Sequence, residues 1–256
     1  MNNKKLKEKA LKNLKGNYSV IISALLIFFI STFACNAIGR IIHSEFIGQL
    51  LTLIVEGLMF MGIIKMATKI SKRKKVEIND LFSKTDLMFK YIGITIIFVF
   101  IAFIFVIFEY LAFESLKVVI VNYTQLNPLL AIILILVGMV LSAAVIIAGI
   151  YLTISFSQVL FILNDEPKLK ITQIFSKSFD MMSNYIFEYF ILALSFIGWL
   201  ILGLFTLGIL YLWLFPYMLV TFANFYNVLK KEYKKYVDSE PEELFTAIPK
   251  NITEEK

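Results

Sequence analysis

Hydrophobic residues in this chain occur in long unbroken runs, and charged residues are gathered between the runs. A helix needs about 20 apolar residues to cross the ~30 Å hydrocarbon layer of a bilayer. Six runs meet this length and predict membrane passes at about 19–38, 46–67, 91–112, 129–150, 186–204 and 208–229. The pattern therefore predicts an all-α, polytopic helical membrane protein with six transmembrane helices.

Two longer apolar stretches each exceed the length of one pass and must contain a bend or a turn. The stretch 128–163 is too long for one pass, so we expect its pass to end near Gly149 and the rest to continue as a bent helix. The stretch 186–229 fits two passes, with a tight reversal at Thr206 to Gly208 because glycine tolerates positive φ. An even number of passes places both termini on the same side.

Basic residues decide which side that is. All lysines and arginines except Arg40 and Lys117 fall in the N-terminus, in 65–90, in 168–177 or after the last pass. The positive-inside rule therefore predicts that both termini are cytoplasmic. The net charge of +6 follows from this topology. We expect no nucleic-acid partner, since that would require the basic residues on one folded surface.

The first 17 residues combine six lysines with Leu6, Ala10 and Leu14 at four-residue spacing. One interpretation is a solvated end that only directs topology. The other, which we prefer, is an amphipathic helix on the inner leaflet, where each lysine gains about 1 kcal/mol from anionic lipids. The predicted organisation is thus a basic helix at 1–17, a transmembrane domain at 18–230, and a largely disordered cytoplasmic tail at 231–256.

Polar residues inside the runs are candidate site residues, because a charge at the centre of a bilayer costs about 2.5–3.5 kcal/mol. Glu56 lies in the middle of the second pass, and no basic residue is placed to pair with it. We expect a neutral carboxyl held by a hydrogen bond from another helix; the alternative is a proton or cation site. Glu109 and Glu188 lie near the predicted membrane borders.

The last pass carries a polar stripe of Tyr217, Thr221, Asn224 and Asn227. Such groups usually form hydrogen bonds between helices, and the alternative is that they line a small polar cavity.

Composition and motifs argue against catalysis. The chain is 59% hydrophobic and 17% charged, with a mean hydropathy of +0.80, which excludes a disordered chain or an ordinary soluble enzyme. One cysteine and one histidine cannot form a disulfide or a cluster of metal ligands. No catalytic motif that combines a nucleophile with a histidine, and no phosphate-binding glycine loop, is recognisable. We expect no enzyme activity, no metal and no cofactor.

Several short motifs resemble one family. These are Ser-Phe-Ile-Gly-Trp at 195–199, Thr-Leu-Gly-Ile at 206–209 and Thr-Phe-Ala-Asn-Phe-Tyr at 221–226, supported by Asn-Asp-Glu-Pro at 164–167. Together they are similar to the domain of unknown function 975 family of bacterial membrane proteins. The resemblance implies a multi-pass protein of the plasma membrane, found mainly in Gram-positive bacteria, and it supplies no known activity.

Two functions remain open. The first is a non-enzymatic module for envelope integrity, or for association with a transport or immunity system through a membrane-protein partner. The second is a transporter or binding protein for a small solute or lipid, which requires a polar cavity joining Glu56 to the Asn224 stripe.

The topology is tested by thiol labelling in a background that lacks Cys35. We expect Lys117→Cys to react with a membrane-impermeant reagent added outside the cell, and Lys168→Cys to react only after permeabilisation. Labelling of Lys117→Cys only from the cytoplasm, or of Lys168→Cys from outside, would contradict the assignment.

Overall fold

The structure, a computed structural model, describes residues 2–123 and 127–239, and regular structure in these ranges is helical throughout. The helices, in chain order, are α1 (Asn3–Leu14), α2 (Tyr18–Ile41), α3 (Glu45–Ser71), α4 (Met88–Tyr123), α5 (Pro128–Ser155), α6 (Val159–Asp165), α7 (Ile171–Met182), α8 (Ile186–Leu194), α9 (Ile197–Phe205) and α10 (Tyr211–Ser239). Two short 3-10 helices, η1 (Ile78–Phe82) and η2 (Thr85–Leu87), precede α4. The predicted fold class is confirmed.

Six stretches of the described chain are long and apolar enough to cross a membrane. They are α2, α3, α4, α5 continued by α6, α8 continued by α9, and α10. Each coincides with a predicted pass. Helix α4 is the longest, with 36 residues, and so extends roughly 54 Å at 1.5 Å per residue.

Helices α2 and α3 form a closely packed antiparallel hairpin. A Cβ atom on Gly39 would lie 2.6 Å from the Cα of Gly48, so glycine is needed for the two backbones to approach here. The turn passes through His43 in the left-handed region, with φ of 53°. Ser44 caps α3 by accepting a hydrogen bond from the Ile47 N–H at 3.4 Å.

The reversal between α9 and α10 lies at Thr206–Gly208, as predicted. Leu207 and Gly208 both have positive φ, 51° and 86°. The Gly208 N–H donates to the Gly203 carbonyl at 3.0 Å, and the Leu207 N–H donates to the Leu204 carbonyl at 3.2 Å. This pair of bonds is a Schellman motif, which satisfies the last carbonyls of α9.

The bend predicted at Gly149 is wrong. Helix α5 continues through Gly149 to Ser155, and the chain bends at 156–158 before α6. There the Phe156 ring packs edge-on against Phe175 at 5.0 Å, while Ser178 Oγ donates to the Ser155 carbonyl at 2.8 Å. A hydrogen bond from another helix therefore stabilises the end of α5. Gly149 lies beside the ring of Phe105, where a Cβ atom would make an ordinary van der Waals contact at 3.5 Å.

The helices at one end of the molecule form a compact unit that we call the platform. It comprises α1, η1, η2, α6, α7 and the ends of α3 and α10 that pack with them. The predicted amphipathic helix is present as α1, but its apolar residues Leu6, Ala10 and Leu14 are buried against protein. Helix α10 continues to Ser239, so residues 231–239 of the predicted tail are helical; the rest of that tail lies outside the described residues.

The contact between α3 and η1 can be tested at Gly62. A Cβ on this residue would overlap the backbone of Leu81, whereas a Cβ on Gly198 in α9 would meet nothing within 4 Å. We expect Gly62→Ala to lower the stability of the protein in detergent by about 1–3 kcal/mol, as overpacking does. Gly198→Ala should leave the thermal midpoint unchanged or raise it. Equal midpoints for the two variants would contradict the close approach.

Candidate functional site

The predicted polar stripe on α10 makes its contacts within the protein. Asn224 is fully buried; its Nδ2 donates to the Leu6 carbonyl of α1 at 3.3 Å, and its Oδ1 has no hydrogen-bond partner among the described residues. Thr221 Oγ1 donates to the Tyr217 carbonyl one turn earlier at 2.7 Å. The Tyr217 ring packs edge-on against Phe196 with 5.3 Å between centroids. The stripe therefore holds α1 and the bend between α8 and α9 against α10.

Asn227, the last residue of the stripe, belongs to a junction of three helices. Its Nδ2 donates to Ser71 Oγ at 2.7 Å, at the end of α3. The Ser71 carbonyl accepts a hydrogen bond from Asn13 Nδ2 of α1 at 3.0 Å, and Arg73 Nε donates to Asn13 Oδ1 at 3.3 Å. Asn13, Ser71 and Asn227 thus join α1, α3 and α10 directly; we call them the asparagine–serine junction.

Glu56 is separate from the stripe. It lies half-buried in α3, next to Gly57, whose backbone packs against Met88 and Ile92 of α4. Among the described residues it has no hydrogen-bond or ion-pair partner, so the hydrogen bond expected from another helix is not formed there. The structure brings Tyr217, Thr221, Asn224 and Asn227 onto one surface of α10 and leaves Glu56 outside that set.

Ion pairs hold the outer surface of the platform together. Asp165 lies 3.0 Å from Lys230 of α10 and 3.6 Å from Lys72 beyond α3. Glu166 lies 2.7 Å from Lys177 of α7 and 3.4 Å from Lys230. The acidic pair of the Asn-Asp-Glu-Pro motif therefore connects three segments of the platform.

The charge state of Glu166 follows from these contacts. Burial would raise the pKa of its carboxyl, but the hydrogen bonds and positive charges of Lys177 and Lys230 outweigh burial and hold the pKa below its ordinary value. Glu166 is consequently ionised at neutral pH. Because its pKa is lowered on folding, its ion pairs stabilise the platform above the ordinary carboxyl pKa, and this contribution is lost as pH falls through the lowered value.

A cleft that the sequence did not reveal lies between the α4–α5 hairpin and α8. Its volume is about 840 Å³, and its walls are almost entirely apolar. Glu109 lies in the wall contributed by α4, and its Oε1 is buried with no hydrogen-bond partner among the described residues. In the sequence Glu109 looked like a residue of the membrane border. Its spacing from neighbouring charges gave no indication that it faces a cleft.

Within residues 2–123 and 127–239, no three His, Cys, Asp or Glu side chains gather as a metal site would require. The cavities described in this structure are lined by neither Glu56 nor Asn224. The helices therefore pack around the polar stripe, and a separate apolar cleft lies on the side of the bundle.

Comparison with known proteins gives a family match. The family model described as protein of unknown function (DUF975) matches residues 1–233, which include all the motifs named above for the resemblance. No curated protein matches the chain, and no solved structure matches it.

The asparagine–serine junction makes a testable prediction about α1. Asn13→Leu removes the partner of the buried Ser71 carbonyl, so we expect a loss of about 1–3 kcal/mol. A reporter cysteine at Ala10, which is fully buried in α1, should then react faster with thiol reagents in a background without Cys35. Thr221→Val removes a hydrogen bond within α10 only and should not change that rate. Similar rates in both variants would contradict the role of the junction.

Proposed function

The chain belongs to the DUF975 family of proteins of unknown function, and on that premise we propose that it is a non-enzymatic membrane module. In this proposal the platform faces the cytoplasm, contacts anionic lipids of the inner leaflet, and presents a basic surface to a membrane-protein partner. The module supports envelope integrity or associates with a transport or immunity system in the plasma membrane of a bacterium.

The observation that carries the proposal is the use of the polar stripe in internal contacts. Asn224 and Asn227 donate to groups of α1 and α3, and Thr221 donates within its own helix. Polar groups engaged in this way stabilise a fixed arrangement of helices. A site that released and rebound a solute would instead need several of these groups free toward a cavity.

The alternative function, transport or binding of a small solute or lipid through a polar cavity, requires Glu56 and Asn224 to share that cavity. They lie on different helices, and the described cavities are lined by neither. The separation of Glu56 from the Asn224 stripe therefore favours the module.

The surface of α1 supports the choice of partner. The apolar face of α1 is buried in the platform, and most of its lysines are directed away from that face. Lys7 is different, because it lies over the Phe196 ring and donates to the Ser195 carbonyl. Lys4, Lys5, Lys9, Lys12 and Lys15 are all exposed. A helix fixed in this way presents several positive charges on one surface of the platform, and each charge gains about 1 kcal/mol beside an anionic lipid surface. The same charges suit an acidic partner at the cytoplasmic face.

Complementation of a strain that lacks the gene tests the proposal, with survival under membrane or cell-wall stress as the measurement. We expect the triple change Lys5→Glu, Lys9→Glu and Lys12→Glu to fail to restore survival. The matched change of the exposed Lys231, Lys234 and Lys235 to glutamate alters net charge equally and should restore it.

Glu56→Gln should also restore survival, because glutamine keeps the shape and donor capacity of a neutral acid and leaves the platform intact. Immunoblots confirm that each variant accumulates normally. Loss of function in Glu56→Gln with full function in the α1 triple variant would overturn the module and favour transport. Full function in every variant would equally contradict a role for the basic surface.

A further inference from the structure

The α4–α5 hairpin separates from the other helices along much of its length. Near the platform it is packed, with Phe98 and Phe156 both in contact with Phe175 of α7. Farther along, Val106 and Ile146 are 65% and 53% exposed. The space between this free part of the hairpin and α8 is the cleft of about 840 Å³.

The walls of the cleft indicate an apolar occupant. Phenylalanine, valine, isoleucine and leucine side chains supply most of the lining. The polar groups on the α5 side are already engaged: Thr153 Oγ1 donates to the Gly149 carbonyl at 2.8 Å, and Ser157 Oγ accepts from Gln158 Nε2 at 2.7 Å. A polar solute in the cleft would find few groups to replace its hydrogen bonds with water.

Glu109 gives the cleft one polar end. Its Oε1 is buried and has no partner within the described part of the chain, and a buried oxygen left without a hydrogen bond is unfavourable. Because Glu109 lines the cleft, a ligand that brings a hydroxyl or ammonium donor to its carboxyl group would give that group a hydrogen bond in apolar surroundings. The Glu109 carboxyl therefore favours a ligand with a donor at one end and an apolar body.

The length of the cleft suits one lipid chain. Phe98 at the packed end and Glu109 are 11 residues apart on α4, which is roughly 16 Å along the helix. This is close to half of the ~30 Å hydrocarbon layer, the depth occupied by the acyl chains of one leaflet. The volume also lies in the usual range for ligand sites, roughly 300–1,000 Å³.

We propose that the cleft between the α4–α5 hairpin and α8 binds one acyl chain of a bilayer lipid whose polar group donates a hydrogen bond to Glu109. Lipids with hydroxyl headgroups and lipids with amine headgroups share this chemistry. The site is independent of the basic surface of α1 and of the function proposed for it.

Photo-crosslinking of the full-length protein in vesicles tests the site. Vesicles contain a lipid with a diazirine on its acyl chain and a headgroup of phosphatidylglycerol, phosphatidylethanolamine or phosphatidylcholine; the last has no donor. Crosslinked peptides are located by mass spectrometry. We expect labelling of 98–109, 145–157 and 189–193 to exceed labelling of the exposed face of α2 at Ile38 and Ile41.

A hydrogen-bond donor in the headgroup should increase cleft labelling by about 5- to 10-fold, the factor in affinity that corresponds to one buried hydrogen bond. Cleft labelling by the glycerol or ethanolamine lipid should exceed labelling by the choline lipid by this factor. Glu109→Leu should abolish the difference, and Glu109→Gln should retain most of it. The headgroup that labels more strongly identifies the source of the donor. Equal labelling by all three lipids in the unaltered protein would overturn the role of Glu109.

Filling the cleft provides a second test that does not depend on Glu109. Ala193 lines the cleft, so Ala193→Trp should reduce cleft labelling to the level of the α2 face. Ala144 is exposed on the opposite side of α5, and Ala144→Trp should change nothing. Crosslinks between two copies of the chain through the cleft, in place of lipid adducts, would show a protein occupant and overturn the proposal.

Discussion

The asparagine–serine junction is the contact on which the platform depends. A carbonyl at the end of a helix has no hydrogen-bond donor in its own helix. The Ser71 carbonyl accepts a hydrogen bond from Asn13 of α1, and the Ser71 hydroxyl accepts one from Asn227 of α10. In a water-poor interior these hydrogen bonds are directional and hard to replace. They fix the position of α1 relative to α3 and α10, and the ion pairs of Asp165 and Glu166 then close the outer surface around them.

The same constraint explains why the molecule has two unlike parts. Around the platform, side-chain hydrogen bonds and ion pairs link segments that are far apart in sequence. Along the free part of the α4–α5 hairpin the packing is apolar, with Gly138 against Leu116 and Gly149 against Phe105. Lipid is as apolar as these side chains, so little drives the hairpin toward the other helices. The cleft beside α8 is the result.

The passes were predictable because each depends on local quantities, the length of an apolar run and the charges beside it. The reversal at Thr206–Gly208 was predictable for the same reason. The direction of a polar side chain was not, because it depends on which helix lies opposite. The sequence thus identified Asn224 and Asn227 but could not name Leu6 or Ser71 as their partners. It also could not place Glu109 in a cleft, or foresee that Ser178 would stabilise a bend after Ser155 in place of Gly149.

The 36 residues of α4 have a consequence for the membrane itself. A straight helix of roughly 54 Å exceeds the ~30 Å hydrocarbon layer by a wide margin, while the 24 residues of α2 nearly match it. This excess length is accommodated by leaving the charged turn with Glu114 and Lys117 outside the layer or by tilting the helix, at a cost that depends on bilayer thickness. The energy of this protein is therefore coupled to the local thickness of its membrane, and thick and thin regions are not equivalent environments for it.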